Sequence, residues 1–480
     1  MSLASTAARG AAASLSSQFI KFLVNLLSIS VLARLLSPGD YGTVAMVTAI
    51  TSVAFILSDF GLSMASIQSQ TITRPQKTNL FWLNAALGVV LSAIVFICAV
   101  PISVLYGNAD LVQVTQVISI LFLLSSLTAQ FRAEATSKLK FNAMAIVDVA
   151  SPAVAFVVAL FIALGGYGYW ALVLQQVVQV FVQLVLLVVI ARWWPGLPRR
   201  HQQMKSLLSF GVNSVGVQLV NYVSNNIDSV LIGRFSGSEA LGFYSRAYQL
   251  FRLPLQQLAA PTTRVAFPIL SRLNGTPEYD RYIQRAQLVL TYVLGGVFFA
   301  AAGAAAPLIE IALGPGWDQT KLLFAILCVG GVFQSLGYVY YWLFLSKAMT
   351  GLQLRYALIS RSIMVGLVAC GVIWGPVGVA TGMSTGLFLN WLILTIFAVP
   401  KTGVAVKPLV LAAVRPMLLF VGMLIFASPV IYLSSAWPAW GSLGAIAAAM
   451  AVYLGIAFLV SRAVRRDVFS IVEVVRKIRR

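Results

Sequence analysis

The sequence predicts an all-α polytopic membrane protein of fourteen transmembrane helices, built as two six-helix lobes in parallel repeat plus two C-terminal helices. Three observations carry that expectation. Hydrophobic residues make up 60% of the 480 and charged residues only 10%, with a mean hydropathy of +0.91, whereas a soluble domain carries about 25% charged residues. Apolar runs of about 20 residues, the length that crosses a bilayer, recur to the end of the chain. Polar residues also repeat within those runs. Ser14, Gln18, Lys21, Asn25 and Ser28 hold the i, i+4, i+7 spacing of one helix face, and Ser214, Gln218, Asn221, Asn225 and Asp228 hold it again 200 positions later.

The first six spans are expected over 14–35, 41–67, 80–105, 111–130, 141–164 and 169–191, within an N-terminal lobe of residues 1–200. The next six run over 207–233, 241–270, 286–312, 322–346, 354–373 and 378–399, in a C-terminal lobe of residues 201–400. Two more, 408–433 and 440–460, fill residues 401–460, and 461–480 forms a basic amphipathic tail suited to an anionic leaflet. The connections are short and marked by Gly and Pro, as at Ser37-Pro38-Gly39 and Gly314-Pro315-Gly316. None can form a catalytic domain, and the first 13 residues show no cleavable signal peptide.

Net charge is +20, from 33 Lys and Arg against 13 Asp and Glu. The cations gather in alternate loops, among them Arg74, Lys77, Arg132, Lys138, Lys140, Arg199, Arg200, Lys347 and Lys401. The loops between, such as 106–110 and 375–377, have none. This asymmetry predicts that both termini are cytoplasmic. The same cations lack the clustered face and motif context of a nucleic-acid binder, so no nucleic-acid partner is expected. Arg34 and Arg234 break the pattern at the outer ends of their helices, either snorkelling to headgroups or serving the path between the lobes.

The repeat extends beyond the two stripes. Arg34/Arg234 and Gly42/Gly242 are identical at the offset of 200, and Gly165/Gly375 and Gly168/Gly378 at 210. Six helices per repeat is an even number, so the halves lie in parallel topology about an axis along the membrane normal.

Hydrolytic catalysis finds no support. The one histidine, His201, sits in the basic loop Arg199-Arg200-His201, and Cys98, Cys328 and Cys370 lie alone in apolar runs. No triad, metal spacing or phosphate-cradling loop is present, so no enzyme activity, metal or cofactor is expected. The unusual material is polar residues at membrane depth, which are costly unless they face a wet cavity or a partner. Asp59, Asp148, Asp228 and Glu310 are of this kind, each with a structural reading as an ion pair or cap. Helix eight carries Arg246, Arg252 and Arg264, which cannot all reach headgroups. Guanidinium binds phosphate bidentately, so an arginine-lined cavity fits a large or amphiphilic anion. Gln18, Lys21, Asn25, Arg34, Gln218, Asn221, Asn225, Arg234 and the three arginines are the expected cavity residues, with Asp59 and Asp228 as candidates for ion coupling.

At Leu32-Ala33-Arg34-Leu35-Leu36-Ser37-Pro38-Gly39-Asp40-Tyr41-Gly42 the chain resembles bacterial polysaccharide-export flippases. Ser58-Asp59-Phe60-Gly61-Leu62 and Gly166-Tyr167-Gly168-Tyr169-Trp170-Ala171-Leu172 strengthen the likeness to the Wzx-type, WzxC-like branch of the multidrug/oligosaccharidyl-lipid/polysaccharide superfamily. The resemblance implies translocation of a polyprenyl-diphosphate-linked oligosaccharide from the inner to the outer leaflet of the bacterial cytoplasmic membrane. It also implies partnership with membrane lipids and with polysaccharide polymerase and export machinery. A peptidoglycan-precursor flippase would use the same cavity logic and is set aside by the motifs. A drug antiporter would prefer an acidic site for organic cations, and a polymerase or ligase would need a large outer loop.

Overall fold

The structure, a computed structural model, describes residues 3–59, 73–138, 140–198 and 205–479, with side chains described for 16–54, 73–138, 140–198, 226–259 and 261–471. Among the described residues every regular element is helical. A lipid-facing backbone requires this, because each N–H and C=O in hydrocarbon must be satisfied within its own segment. Ten described helical runs are long and apolar enough to cross a membrane, and one of them, Thr350–Thr402, holds two of the expected spans. The chain divides into two compact units, Met1–Gly242 and Phe243–Arg480.

The first unit contains α1 (Leu3–Leu35), α2 (Pro38–Asp59), α3 (Arg74–Ile97), α4 (Ala99–Tyr106), α5 (Leu111–Ser137), α6 (Phe141–Leu164) and α7 (Trp170–Ala191). Helix α5 packs against α2, α3, α4 and α7, while α1 lies on α6. Close approach of α3 and α5 rests on a small residue, since a Cβ at Gly88 would come within 2.7 Å of Ser126 Cβ. Where α3 begins, Thr73 and Gln76 form a reciprocal capping box, Thr73 N–H donating to Gln76 Oε1 at 2.9 Å. Phe81, Phe131 and Trp193 pack edge to face at that end, with centroids 5.5 to 6.2 Å apart.

Helix α8 (Lys205–Pro254) enters the second unit, followed by α9 (Ala260–Leu273), α10 (Pro277–Leu290), α11 (Gly296–Gly303), α12 (Ala305–Leu313) and α13 (Asp318–Ser346). Then come α14 (Thr350–Gly371), α15 (Gly375–Ile393), α16 (Val406–Leu433), α17 (Ala439–Val460) and α18 (Arg462–Arg479). The tightest packing is α14 on α15. Gly378, Gly382 and Gly386, four residues apart on α15, face Gly371, Leu367 and Met364 of α14; a Cβ at Gly378 would lie 2.1 Å from the Gly371 carbonyl oxygen. This is the small-xxx-small device by which membrane helices gain contact area.

Several expected spans are not single helices. The third, expected over 80–105, ends at Ile97 and restarts at Ala99, and the ninth, expected over 286–312, breaks after Gly303. A proline four residues beyond each break, Pro101 and Pro307, explains both, because its ring clashes with the carbonyl of residue i−4. Spans seven and eight are two helices that meet at a kink at Gly237, where φ is +85°, a conformation open to glycine. Span eight itself is interrupted by a π-helical turn, Leu255–Ala259, flanked by Pro254 and Pro261.

Both units use one further device. Lys140, just before α6, donates from Nζ to the Ile190 carbonyl at the end of α7, at 2.6 Å. Lys347, just before α14, donates to the Thr402 carbonyl beyond α15, also at 2.6 Å. Each lysine satisfies an orphan carbonyl and complements the negative helix end.

Candidate functional site

The polar stripe of α1 is partly held and partly open. Gln18 and Asn25 are exposed, Lys21 is half-exposed, and Ser28 is buried. Ser28 Oγ accepts from Gln175 Nε2 of α7 at 2.8 Å. Gln175 was not among the expected residues, although Gln175, Gln179 and Gln183 repeat every fourth position along α7 and carry a readable signal. The side chains of Gln218, Asn221, Asn225 and Asp59 lie outside the described residues. Asp228 is buried, and one of its oxygens accepts from Ser229 N–H at 2.8 Å.

Following α1, the motif Ser37-Pro38-Gly39-Asp40-Tyr41-Gly42 has a local physical explanation. Ser37 N–H and Oγ donate to Asp40 Oδ2 at 2.9 and 2.6 Å, and Asp40 N–H returns a bond to Ser37 Oγ at 3.2 Å. Serine at the cap, proline in the first helical position and an acid in the first turn together start α2. Gly42 then allows a backbone approach, for a Cβ there would lie 1.6 Å from the Ser238 carbonyl oxygen. A Cβ at Gly242 would lie 1.8 Å from that of Pro38. Pro38 and Ser238, like Gly42 and Gly242, are 200 positions apart. The contact is therefore reciprocal, and it lies within the first unit. Arg34 and Arg234 are exposed near these turns, with the Arg234 guanidinium 5.7 Å from the ring centroid of Phe235.

In the second unit one arginine stands over an aromatic ring. Tyr248 stacks on Tyr244 with centroids 5.9 Å apart, and the Arg252 guanidinium stands 5.6 Å from the Tyr248 centroid. Arg361 of α14 lies within electrostatic reach of the same tyrosine, and Tyr338 of α13 within reach of Arg252. Sequence reasoning missed Arg361, a half-buried residue whose Nη1 is buried without a hydrogen-bond partner. Gln249 Oε1 and Gln334 Oε1 are buried acceptors in the same condition. Gln334 precedes Tyr338 by one helical turn and shares its face. Arg246 is half-buried on this helix, while Arg264 is exposed on α9 and is not drawn into the cluster by any described contact.

Among the described residues no carboxylate pairs with Arg252, Arg264 or Arg361. An arginine over a tyrosine ring, with a second within electrostatic reach and buried amide acceptors on the same helices, can hold an anion that also bears hydroxyls. Among the described residues no group of three or more His, Cys, Asp or Glu could hold a metal ion.

Residues 31–322, more than half of the chain, match the family described as polysaccharide biosynthesis protein. WzxC of Escherichia coli (strain K12), a lipopolysaccharide biosynthesis protein, is 24% identical over 405 residues, spanning 82% of this chain and 80% of its own. TuaB of Bacillus subtilis (strain 168), a teichuronic acid biosynthesis protein, is 27% identical over 324 residues, spanning 65% of this chain and 66% of its own. Among solved structures, the lipid II flippase MurJ in an inward closed conformation shares the fold, with a TM-score of 0.69 at 13% identity over 93% of this chain and 98% of that one. The chain is thus a multi-pass membrane protein and a member of the polysaccharide biosynthesis protein family.

Proposed function

We propose that the protein is a flippase that moves a polyprenyl-diphosphate-linked oligosaccharide repeat unit from the inner to the outer leaflet of the bacterial cytoplasmic membrane. The carrying observation is Arg252, whose guanidinium stands 5.6 Å from the Tyr248 ring centroid with no carboxylate partner among the described residues, together with Arg361, which lies within electrostatic reach of the same tyrosine. Guanidinium groups match phosphate oxygens in charge and in bidentate hydrogen bonding. Buried glutamine acceptors suit sugar hydroxyls, and a lipid-linked cargo can leave its tail in the bilayer. Relatives named for lipopolysaccharide and teichuronic acid biosynthesis support the same cargo class. The reading assigns transport by alternating access, with two parallel lobes of residues 1–200 and 201–400, and no chemical step. Both termini are placed in the cytoplasm, and the product feeds exopolysaccharide, capsule or O-antigen polymerisation.

The test is export of polysaccharide in a strain lacking the native gene, complemented by Arg246→Ala, Arg252→Ala, Arg264→Ala and Arg361→Ala, singly and together, at equal membrane abundance. Loss of export is expected; normal export by the combined variant would overturn the reading. Ion coupling is assigned to Asp228 and Asp59. In reconstituted vesicles Asp228→Asn should change the dependence of flipping on ion gradient or potential, and an unchanged dependence would remove it.

A further inference from the structure

A cavity of about 560 Å³ opens in the second unit between α11, α16, α17 and α18. Val297, Phe420, Met450 and Phe458 are typical of its wall, and Tyr292 is the one lining residue with a polar side-chain group. Along α17 the wall runs from Ala447 to Phe458. At 1.5 Å per residue that is about 16 Å, close to half of the roughly 30 Å hydrocarbon core and so to the depth of one leaflet.

At the α18 end the apolar wall gives way to charge. Asp467 of α18 is buried, and both its oxygens accept from Arg415 Nη1 of α16, at 3.0 and 3.1 Å. Its Oδ2 also accepts from the Tyr292 hydroxyl at 3.3 Å. Three elements meet on one carboxylate, and Tyr292 belongs both to this latch and to the cavity wall. Val464 and Val468 of α18 close the cavity beside it. Arg462, Arg465 and Arg466 stand on the same two turns, with no carboxylate partner among the described residues.

We propose that this cavity binds one acyl chain of an anionic phospholipid, with the phosphate held by the arginines of α18 and α18 itself acting as a lid latched through Asp467. A leaflet-length apolar slot covered by a helix that also carries arginines without carboxylate partners among the described residues matches a phospholipid in both parts. Bulk lipid is as apolar as the cavity wall, so the chain alone gives no preference. Selectivity comes from the headgroup, and each basic residue near the surface contributes roughly a fivefold preference for anionic lipid. The inference is independent of which cargo the protein moves.

The full chain is reconstituted in phosphatidylcholine vesicles that carry a trace of phosphatidylglycerol or phosphatidylcholine with a photoreactive group at the end of one acyl chain. Labelling of 292–300 and 447–458 by the phosphatidylglycerol probe should exceed that by the phosphatidylcholine probe at least about tenfold. Ala451→Phe, which fills the cavity, should abolish the labelling. Replacing Arg462, Arg465 and Arg466 together with glutamine should reduce it to the phosphatidylcholine level, and this variant keeps the test decisive if Ala451→Phe does not fold. Equal labelling by the two probes overturns the proposal. So does suppression of the signal by an equimolar polyprenyl phosphate, which would reassign the cavity to an isoprenoid tail.

Discussion

The two units hold contrasting sets of charges. In the first, Glu134 is buried between Lys77 at 2.6 Å and Lys138 at 2.7 Å, and Arg132 pairs with Asp148. In the second, Arg252 stands over a tyrosine ring rather than beside an acid, and the half-buried pair Arg415–Asp467 lies apart, at α18. A charge with a carboxylate partner is committed to holding helices together. One that faces only aromatic and amide groups is available to an anion. The difference separates a scaffold from a binding surface although both units carry similar sequence patterns.

The strongest way to break that distinction is to remove charge from each side. Arg252→Ala with Arg361→Ala should reduce flipping in proteoliposomes by at least about a hundredfold, since a hydrogen bond to a charged group contributes roughly 1.5–3 kcal/mol. Thermal stability in detergent should change little, and a large fall in stability without loss of flipping per folded molecule would erase the distinction. Glu134→Ala should do the reverse. It leaves Lys77 without its partner at a site where the carboxylate is 4% exposed, and breaking a buried pair costs about 3–5 kcal/mol. Lys138 is half exposed, so about 3 kcal/mol is expected, read as a lowered unfolding midpoint with normal flipping per folded molecule.

A smaller effect tests where the units agree. Lys140→Ala and Lys347→Ala should each cost about 1.5 kcal/mol by freeing a carbonyl that a charged donor now satisfies. Markedly unequal midpoint shifts would show that the two lysines are not equivalent. The smallest effect belongs to the α1 stripe. Gln175→Ala removes one interhelical bond to Ser28 and should cost about 0.6 kcal/mol, a shift visible in paired unfolding curves. A cost above about 2 kcal/mol would mean that the stripe is packed rather than wet.

Much of this protein is legible before folding is considered. The helical class follows from apolar run length. The third span was expected unbroken over 80–105, and its break is explained by Pro101 only once the helices are seen. The reciprocal contact at Gly42 and Gly242 gives structural weight to a pattern that was only an offset of 200 in the sequence. Arg361 was not legible, because nothing near it in an apolar stretch marks it, and its meeting with Tyr248 joins residues more than a hundred positions apart. Asp148 admitted two sequence readings, and Arg132 on the preceding helix selects the ion pair.

The sequence by itself determined the class of solvent the chain lives in and roughly where its apolar spans lie. A bilayer sets length and apolarity for each span separately, and caps and prolines act within one turn. Only the tertiary structure decided which charges are neutralised and which stay open, because a charge's partner is set by the neighbouring helix that burial brings beside it.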